Sequence, residues 1–150
     1  MIAASLKTPV GPLSVTEQDG AITGLSWSSH GSGQSALLTR ALSQLRAYFA
    51  GELDDFDLPL RIEGSDFQRS VCAAMLAIPR GETRTYGDIA CDLGVPPQPV
   101  GSACGSNPIP VIIPCHRVLG ATGLGGFSGA GGVETKVALL KHEGAASLLI

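Results

Sequence analysis

Two unlike halves are predicted for this chain: a small α/β segment built on an antiparallel sheet, then a mainly helical segment carrying a reactive cysteine motif. Three observations predict this. Turn chemistry at Thr8-Pro9-Val10-Gly11-Pro12 and at Asp19-Gly20 separates short β-prone runs near the start. Helix-opening patterns, Ser65-Asp66-Phe67-Gln68 and Thr85-Tyr86-Gly87-Asp88, cluster after the middle. An apolar run, Ile109 to Ile113, leads directly into Pro114-Cys115-His116-Arg117-Val118. The expected division is residues 1–64 and 65–150.

In order, strands are expected at Ile2–Lys7, Leu13–Thr16 and Ala21–Trp27, with Ser28–Gly33 as a loop. From Ser35 to Ala50 the residues Leu38, Leu42, Leu45 and Phe49 recur at helical spacing, and Gly51 closes the helix. Glu52–Ile62 reads as an acidic linker ending in a β-prone piece. Phe67, Val71 and Met75 give the next helix one apolar face, and Pro79-Arg80-Gly81-Glu82 ends it. Tyr86, Ile89, Ala90 and Leu93 define a shorter helix stopped by Gly94, and a further helix covers Gln98 to about Gly105. Two short helices joined by a Gly/Pro turn form a helix-turn-helix arrangement, whose second helix can enter a DNA groove. A strand carrying Cys115 is expected next, then the glycine-rich stretch Gly120–Gly132 and a last helix from about Val133 to His142.

Composition sets bounds on function. An apolar fraction of 44% in 150 residues can form a core, and 15% charged residues exclude a tail-like, disordered chain. No apolar stretch reaches the roughly 20 residues needed to cross a bilayer, and the N-terminus lacks signal-peptide character. The four cysteines Cys72, Cys91, Cys104 and Cys115 lie in apolar, helix- or strand-like contexts without an export signal. A reduced, cytoplasmic protein therefore fits better than a disulfide framework. No CxxC pair exists and His30 and His142 stand alone, so no metal site is expected. The net charge of −3 argues against nucleic-acid binding. The acidic excess, however, lies in residues 1–65, with four Lys/Arg against seven Asp/Glu, whereas residues 66–150 carry six of each.

A cysteine between a backbone-fixing proline and a histidine has both rigid aim and a route for its proton, which a nucleophilic thiolate needs. A buried structural cysteine is the bland alternative. The longer segment Asn107 to Leu119 closely resembles the active-site segment of the O6-alkylguanine-DNA alkyltransferases, DNA repair proteins that move an alkyl group from guanine onto their own cysteine. The resemblance extends over nearly the whole chain. Thr8–Leu13 and Phe56–Leu60 are similar to the family's ribonuclease-H-like N-terminal domain. Phe67-Gln68, Ile78–Thr83 and Tyr86–Ala90 are similar to its winged-helix DNA-binding domain, and Gly126–Gly129 and Leu139–Gly144 to its closing loop and helix.

The resemblance implies roles for individual residues. Cys115 would be the alkyl acceptor, with His116 acting through a water and Glu143 orienting the histidine. Tyr86 would support nucleotide rotation and protonate the leaving guanine, although a helix-end core tyrosine looks the same in sequence. Asn107 would brace the turn before the cysteine, as an ordinary Asn-Pro turn also could. Ser128, with the backbone of Cys115 and Val118, would read the flipped base, and a plain surface loop is the alternative. No cofactor is implied. The implied partner is double- or single-stranded DNA containing O6-alkylguanine, with no membrane and a monomeric chain.

Two positions depart from the family. Gln98 stands where its recognition helix carries an arginine that fills the gap left by the flipped nucleotide, after a shortened turn, Gly94-Val95-Pro96-Pro97. Cys72 stands where relatives often have tryptophan. Two other readings therefore accompany suicidal alkyl transfer: a non-catalytic alkylguanine sensor, and a divergent thiol-dependent paralogue with weak DNA binding.

Overall fold

The computed structural model describes residues 1–121, 123–127, 129 and 131–145. Its contacts divide the chain into two units, Met1–Glu63 and Gly64–Ile150.

In the first unit β1 (Ile2–Thr8), β2 (Gly11–Gln18) and β3 (Ala21–Ser26) form an antiparallel sheet in chain order. Asp19 and Gly20 both take positive φ, 51° and 79°, which is the twist a two-residue hairpin needs. Helix α1 (Ala36–Phe49) packs on β1 and β2, with the Ser35 side chain accepting from the Leu38 N–H. Its buried face is Leu38, Ala41, Leu45 and Tyr48: Leu38 and Leu45 are buried as expected, whereas Leu42 and Phe49 are only half-buried. Ala41 is small at the sheet contact, and Tyr48 stacks against Phe56 with ring centroids 5.4 Å apart. The β-prone end of the acidic linker adds only a bridge: the Ile22 N–H donates to Pro59 O and the Arg61 N–H to Ile22 O.

The second unit contains α2 (Asp66–Leu76), β4 (Arg84–Thr85), α3 (Tyr86–Leu93), α4 (Pro97–Gly105), β5 (Val118–Leu119) and α5 (Val133–His142). The short strands β4 and β5 pair in parallel. At α3 the capping box is complete, Thr85 and Asp88 satisfying each other's backbone N–H groups. At α2 only half of it forms. Ser65 accepts from the Gln68 N–H, but the Gln68 amide reaches Ala103 O at 2.9 Å and ties α2 to α4. Gly94, at φ 68°, ends α3 and turns the chain into α4.

The expected cysteine strand does not exist. Residues Ile109–Ile113 are buried but fold into a tight turn, in which the Ile113 N–H donates to Ile109 O at 2.8 Å. Pro108, Pro110 and Pro114 remove the donors a strand ladder requires. Cys115–Arg117 then form one turn of 3-10 helix. Val111 takes φ 73°, a costly conformation for a β-branched residue. Asn107 supports that turn from both ends: its Oδ1 accepts from the Ile109 N–H at 3.0 Å and its Nδ2 donates to Ile113 O at 2.8 Å. Asn107 thus holds the backbone immediately before Cys115.

Candidate active site

A pocket of about 430 Å³ opens in the second unit, walled by Tyr86, Gly101, Cys104, Gly105, Cys115 and Phe127. Helices α3 and α4 supply one side of it, and the 3-10 turn and the glycine-rich loop the other. Cys115 is only 5% exposed. Burial pushes its thiol up, while the Asn107 side chain and the Lys136 charge pull the other way. The net shift is upward, so the resting group is a thiol and needs a base before it can act.

A base lies next in sequence. Successive side chains of a 3-10 turn diverge by about a third of a turn, so His116 points away from its neighbour. It lies fully buried against Glu143, with Nε2 2.7 Å from a carboxylate oxygen. Burial lowers the histidine's pKa despite that carboxylate, which leaves the ring neutral. A neutral ring facing a carboxylate carries its proton on Nε2, which leaves a lone pair on Nδ1. Among the described residues, Nδ1 is the buried side-chain polar atom without a hydrogen-bond partner. Buried polar atoms are paired almost without exception, so this one marks a place where a proton can be received.

Glu143 caps α5 and is itself held by Arg117, whose Nε and Nη2 donate to its two oxygens at 2.9 and 2.8 Å. Arg117 Nη1 donates to Ile78 O at 2.6 Å. The fork fixes the carboxylate plane, and the carboxylate fixes the ring. Arg117 was not foreseen as part of this group, yet a buried carboxylate facing a neutral histidine needs a cation, and Arg117 is the adjacent one.

Tyr86 opens α3 on the opposite wall. Burial raises its pKa, the nearby Cys104 and Cys115 add to that, and a bond with the Gly126 backbone opposes it. Its phenol is therefore a proton donor at neutral pH. Gly125 (φ 72°) allows the loop to lie against this ring, because a Cβ there would stand 2.9 Å from the Tyr86 Cε2 and Oη atoms.

Lys136 is the largest omission of the sequence reading. It is completely buried in α5, and its Nζ donates to Val118 O at 2.6 Å, Leu124 O at 2.5 Å and Gly126 O at 3.0 Å. The ammonium lies 5.8 Å from the Tyr86 ring centroid. Burial pulls its pKa down to about 8, so it stays largely charged at neutral pH. One side chain thereby fastens β5 and the glycine-rich loop around the pocket. The signal was present: Lys136 shares its helix face with Leu139, Leu140 and Glu143.

Of the other expected residues, Val118 is buried, with its carbonyl taken by Lys136. Gln98 is exposed in the first turn of α4 and does not line the pocket. Ser128 lies outside the described residues. Cys104, unassigned by sequence, lines the pocket beside Cys115, and its thiol is pushed up to about 12, chiefly by burial. Among the described residues, no three His, Cys, Asp or Glu side chains are grouped to hold a metal ion. No helix among them is long and apolar enough to cross a membrane.

Two family models match: the ribonuclease-like domain of 6-O-methylguanine DNA methyltransferase over residues 1–62, and its DNA-binding domain over residues 66–145. A methylated-DNA–protein-cysteine methyltransferase of Mycobacterium tuberculosis is 43% identical, covering 93% of this chain and 90% of the relative. The crystal structure of M. tuberculosis O6-methylguanine methyltransferase superposes with a TM-score of 0.84 at 40% identity, covering 96% of this chain and 93% of that one. M. tuberculosis OGT in complex with DNA superposes with a TM-score of 0.82 at 42% identity, covering 95% and 92%.

Proposed function

This chain belongs to the O6-alkylguanine-DNA alkyltransferase family, and from that premise we propose that Cys115 takes the alkyl group from O6-alkylguanine in DNA and keeps it. The protein is a DNA repair methyltransferase whose partner is DNA. The observation that carries the assignment of roles is the unpaired, buried Nδ1 of His116, the residue next in sequence to Cys115, which lines a pocket together with Tyr86.

The family resemblance and the residues gathered around the pocket support the following steps. The Cys115 proton passes through a bridging water to His116 Nδ1, and Glu143 stabilises the imidazolium that forms, as in a nucleophile–base–acid triad. The sulfur lone pair forms a bond to the alkyl carbon while the carbon–O6 bond breaks. The electron pair left on guanine is neutralised by the Tyr86 phenol proton. Proton return from His116 to Tyr86 through solvent restores both groups, so the thiol proton ends on guanine. The product thioether has no leaving group that would regenerate the thiol, so each molecule acts once.

Asn107 and Lys136 are positioning residues in this scheme. The first sets the backbone before Cys115, and the second sets the loop over the pocket. Val118, Ser128 and the loop backbone would contact the base edge, and Gln98 would face DNA from α4. The need for a reduced thiol and a DNA substrate supports a cytoplasmic location.

The test is transfer of labelled methyl from O6-methylguanine DNA to Cys115→Ala. Loss of transfer with retained lesion binding is expected, because sulfur supplies the bonding electrons while the pocket walls hold the base. Label appearing on Cys72, Cys91 or Cys104 would contradict the assignment.

A further inference from the structure

The surface of the second unit carries no excess of positive charge. Its six cations are Arg69, Arg80, Arg84, Arg117, Lys136 and Lys141. Arg117 and Lys136 are buried in the active site. Arg69 is paired with Asp66, and Arg84 with Asp92 at 2.8 Å. Arg80 donates to His142 O. On the surface, Arg69, Arg80, Arg84 and Lys141 are outnumbered by Asp66, Glu82, Asp88, Asp92 and Glu134.

The helix pair beside the pocket is poorer still. Helix α4 contains no charged residue, and its exposed positions are Pro97, Gln98, Pro99, Ser102 and Gly105. Helix α3 carries Asp88 and Asp92 and no cation. The N-terminus of α4, an end where backbone N–H groups commonly bind phosphate, begins Pro97-Gln98-Pro99 behind Pro96. Two of its first four residues therefore have no N–H to offer. The first unit does not compensate, with four Lys/Arg against seven Asp/Glu in residues 1–65.

Duplex binding draws most of its free energy from neutralised phosphates, and extruding a stacked, paired base costs a few kcal/mol. A protein with few phosphate contacts has little with which to offset that cost. The pocket is already open among the described residues, and a base that is already unstacked can enter it without the expense. We infer that this chain takes its O6-alkylguanine chiefly from unpaired DNA, single strands or unpaired positions, and repairs lesions inside intact duplex poorly. This rests on the alkyl-acceptor reading above and narrows its substrate.

The experiment measures single-turnover transfer from O6-methylguanine in one oligonucleotide sequence, presented as a single strand, in a fully paired duplex, and opposite a one-nucleotide gap in pairing. The expected result is a single-strand rate at least about tenfold above the duplex rate, with the unpaired duplex position between them. Salt should matter little, with a log–log slope of about −1 to −2 on duplex, as for one or two phosphate contacts. Gln98→Arg combined with Ser102→Arg, both on the exposed uncharged face of α4, should raise the duplex rate more than the single-strand rate and steepen the slope. Equal rates, a faster duplex rate, or a slope steeper than about −4 would overturn the inference while leaving alkyl transfer intact. An unchanged duplex rate in the double variant would also count against it, since it would detach the preference from the α4 surface. Absence of transfer from every substrate would instead remove the acceptor reading.

Discussion

Glu143→Gln tests the organisation of the site most severely, because one carboxylate serves two buried partners. Its side chain is inaccessible to solvent and accepts from His116 Nε2 at 2.7 Å and from Arg117 at 2.9 and 2.8 Å. Glutamine keeps the volume but removes the charge, and its NH₂ group must face one of the existing donors. Arg117, with a side chain 6% exposed, would keep Ile78 O and one bond to the amide oxygen but lose the other and its counter-charge. Breaking a buried pair from one side costs about 3–5 kcal/mol. For a chain of this length each kcal/mol moves Tm by about 2–4 °C, so a fall of roughly 6–20 °C is expected by circular dichroism. Transfer, measured well below that Tm, should slow by on the order of 10²-fold as His116 loses its orienting acid. The combined variant Glu143→Gln, Arg117→Met removes the stranded cation and should recover part of the Tm, since a buried pair replaced as a whole often costs little. It should not recover the rate. A Tm within about 2 °C of wild type for Glu143→Gln, or recovery of rate together with Tm, would refute the reasoning.

Two further outcomes follow from the same site. His116 has a pKa below its ordinary value because it is buried, so the unfolded chain binds a proton more readily than the folded one. Stability is then full above the unfolded histidine value of about 6.5 and declines as pH falls below it; Tm measured between pH 7 and pH 5 should drop more steeply in wild type than in His116→Gln. Lys136→Met removes the donor to three carbonyls, those of Val118, Leu124 and Gly126, and should raise amide exchange across 118–127 and slow transfer, while a protein with unchanged exchange there would deny Lys136 its fastening role.

Elements determined by local chemistry were legible in the sequence. The Asp19-Gly20 hairpin, the Thr85/Asp88 cap and α5, flanked by Gly132 and Gly144 at positive φ, all arise from residues within the segment itself. Elements determined by distant partners were not. Gln68 abandons its own helix end for Ala103 O, and α1 rotates to put Ala41 and Tyr48 inward because the sheet and Phe56 wait there. The run Ile109–Ile113 has the composition of a buried strand and the burial too, but three prolines and the Asn107 brackets make it a turn. The active-site cluster was half legible. Cys115 and His116 announce themselves as a motif, whereas Arg117 and Lys136 look like ordinary surface cations until the fold buries them. A cation's burial depends on which carbonyls and carboxylates converge on it, and those come from segments remote in sequence.

The central claim is that Cys115 is a single-use alkyl acceptor. Its most direct test is a titration of the protein with DNA containing O6-methylguanine, read by intact mass and then by peptide mapping. The account predicts that one methyl group is added per molecule, located on Cys115, with no second addition at excess substrate. Methyl on another residue, more than one transfer per molecule, or guanine released while the protein's mass stays unchanged would contradict it.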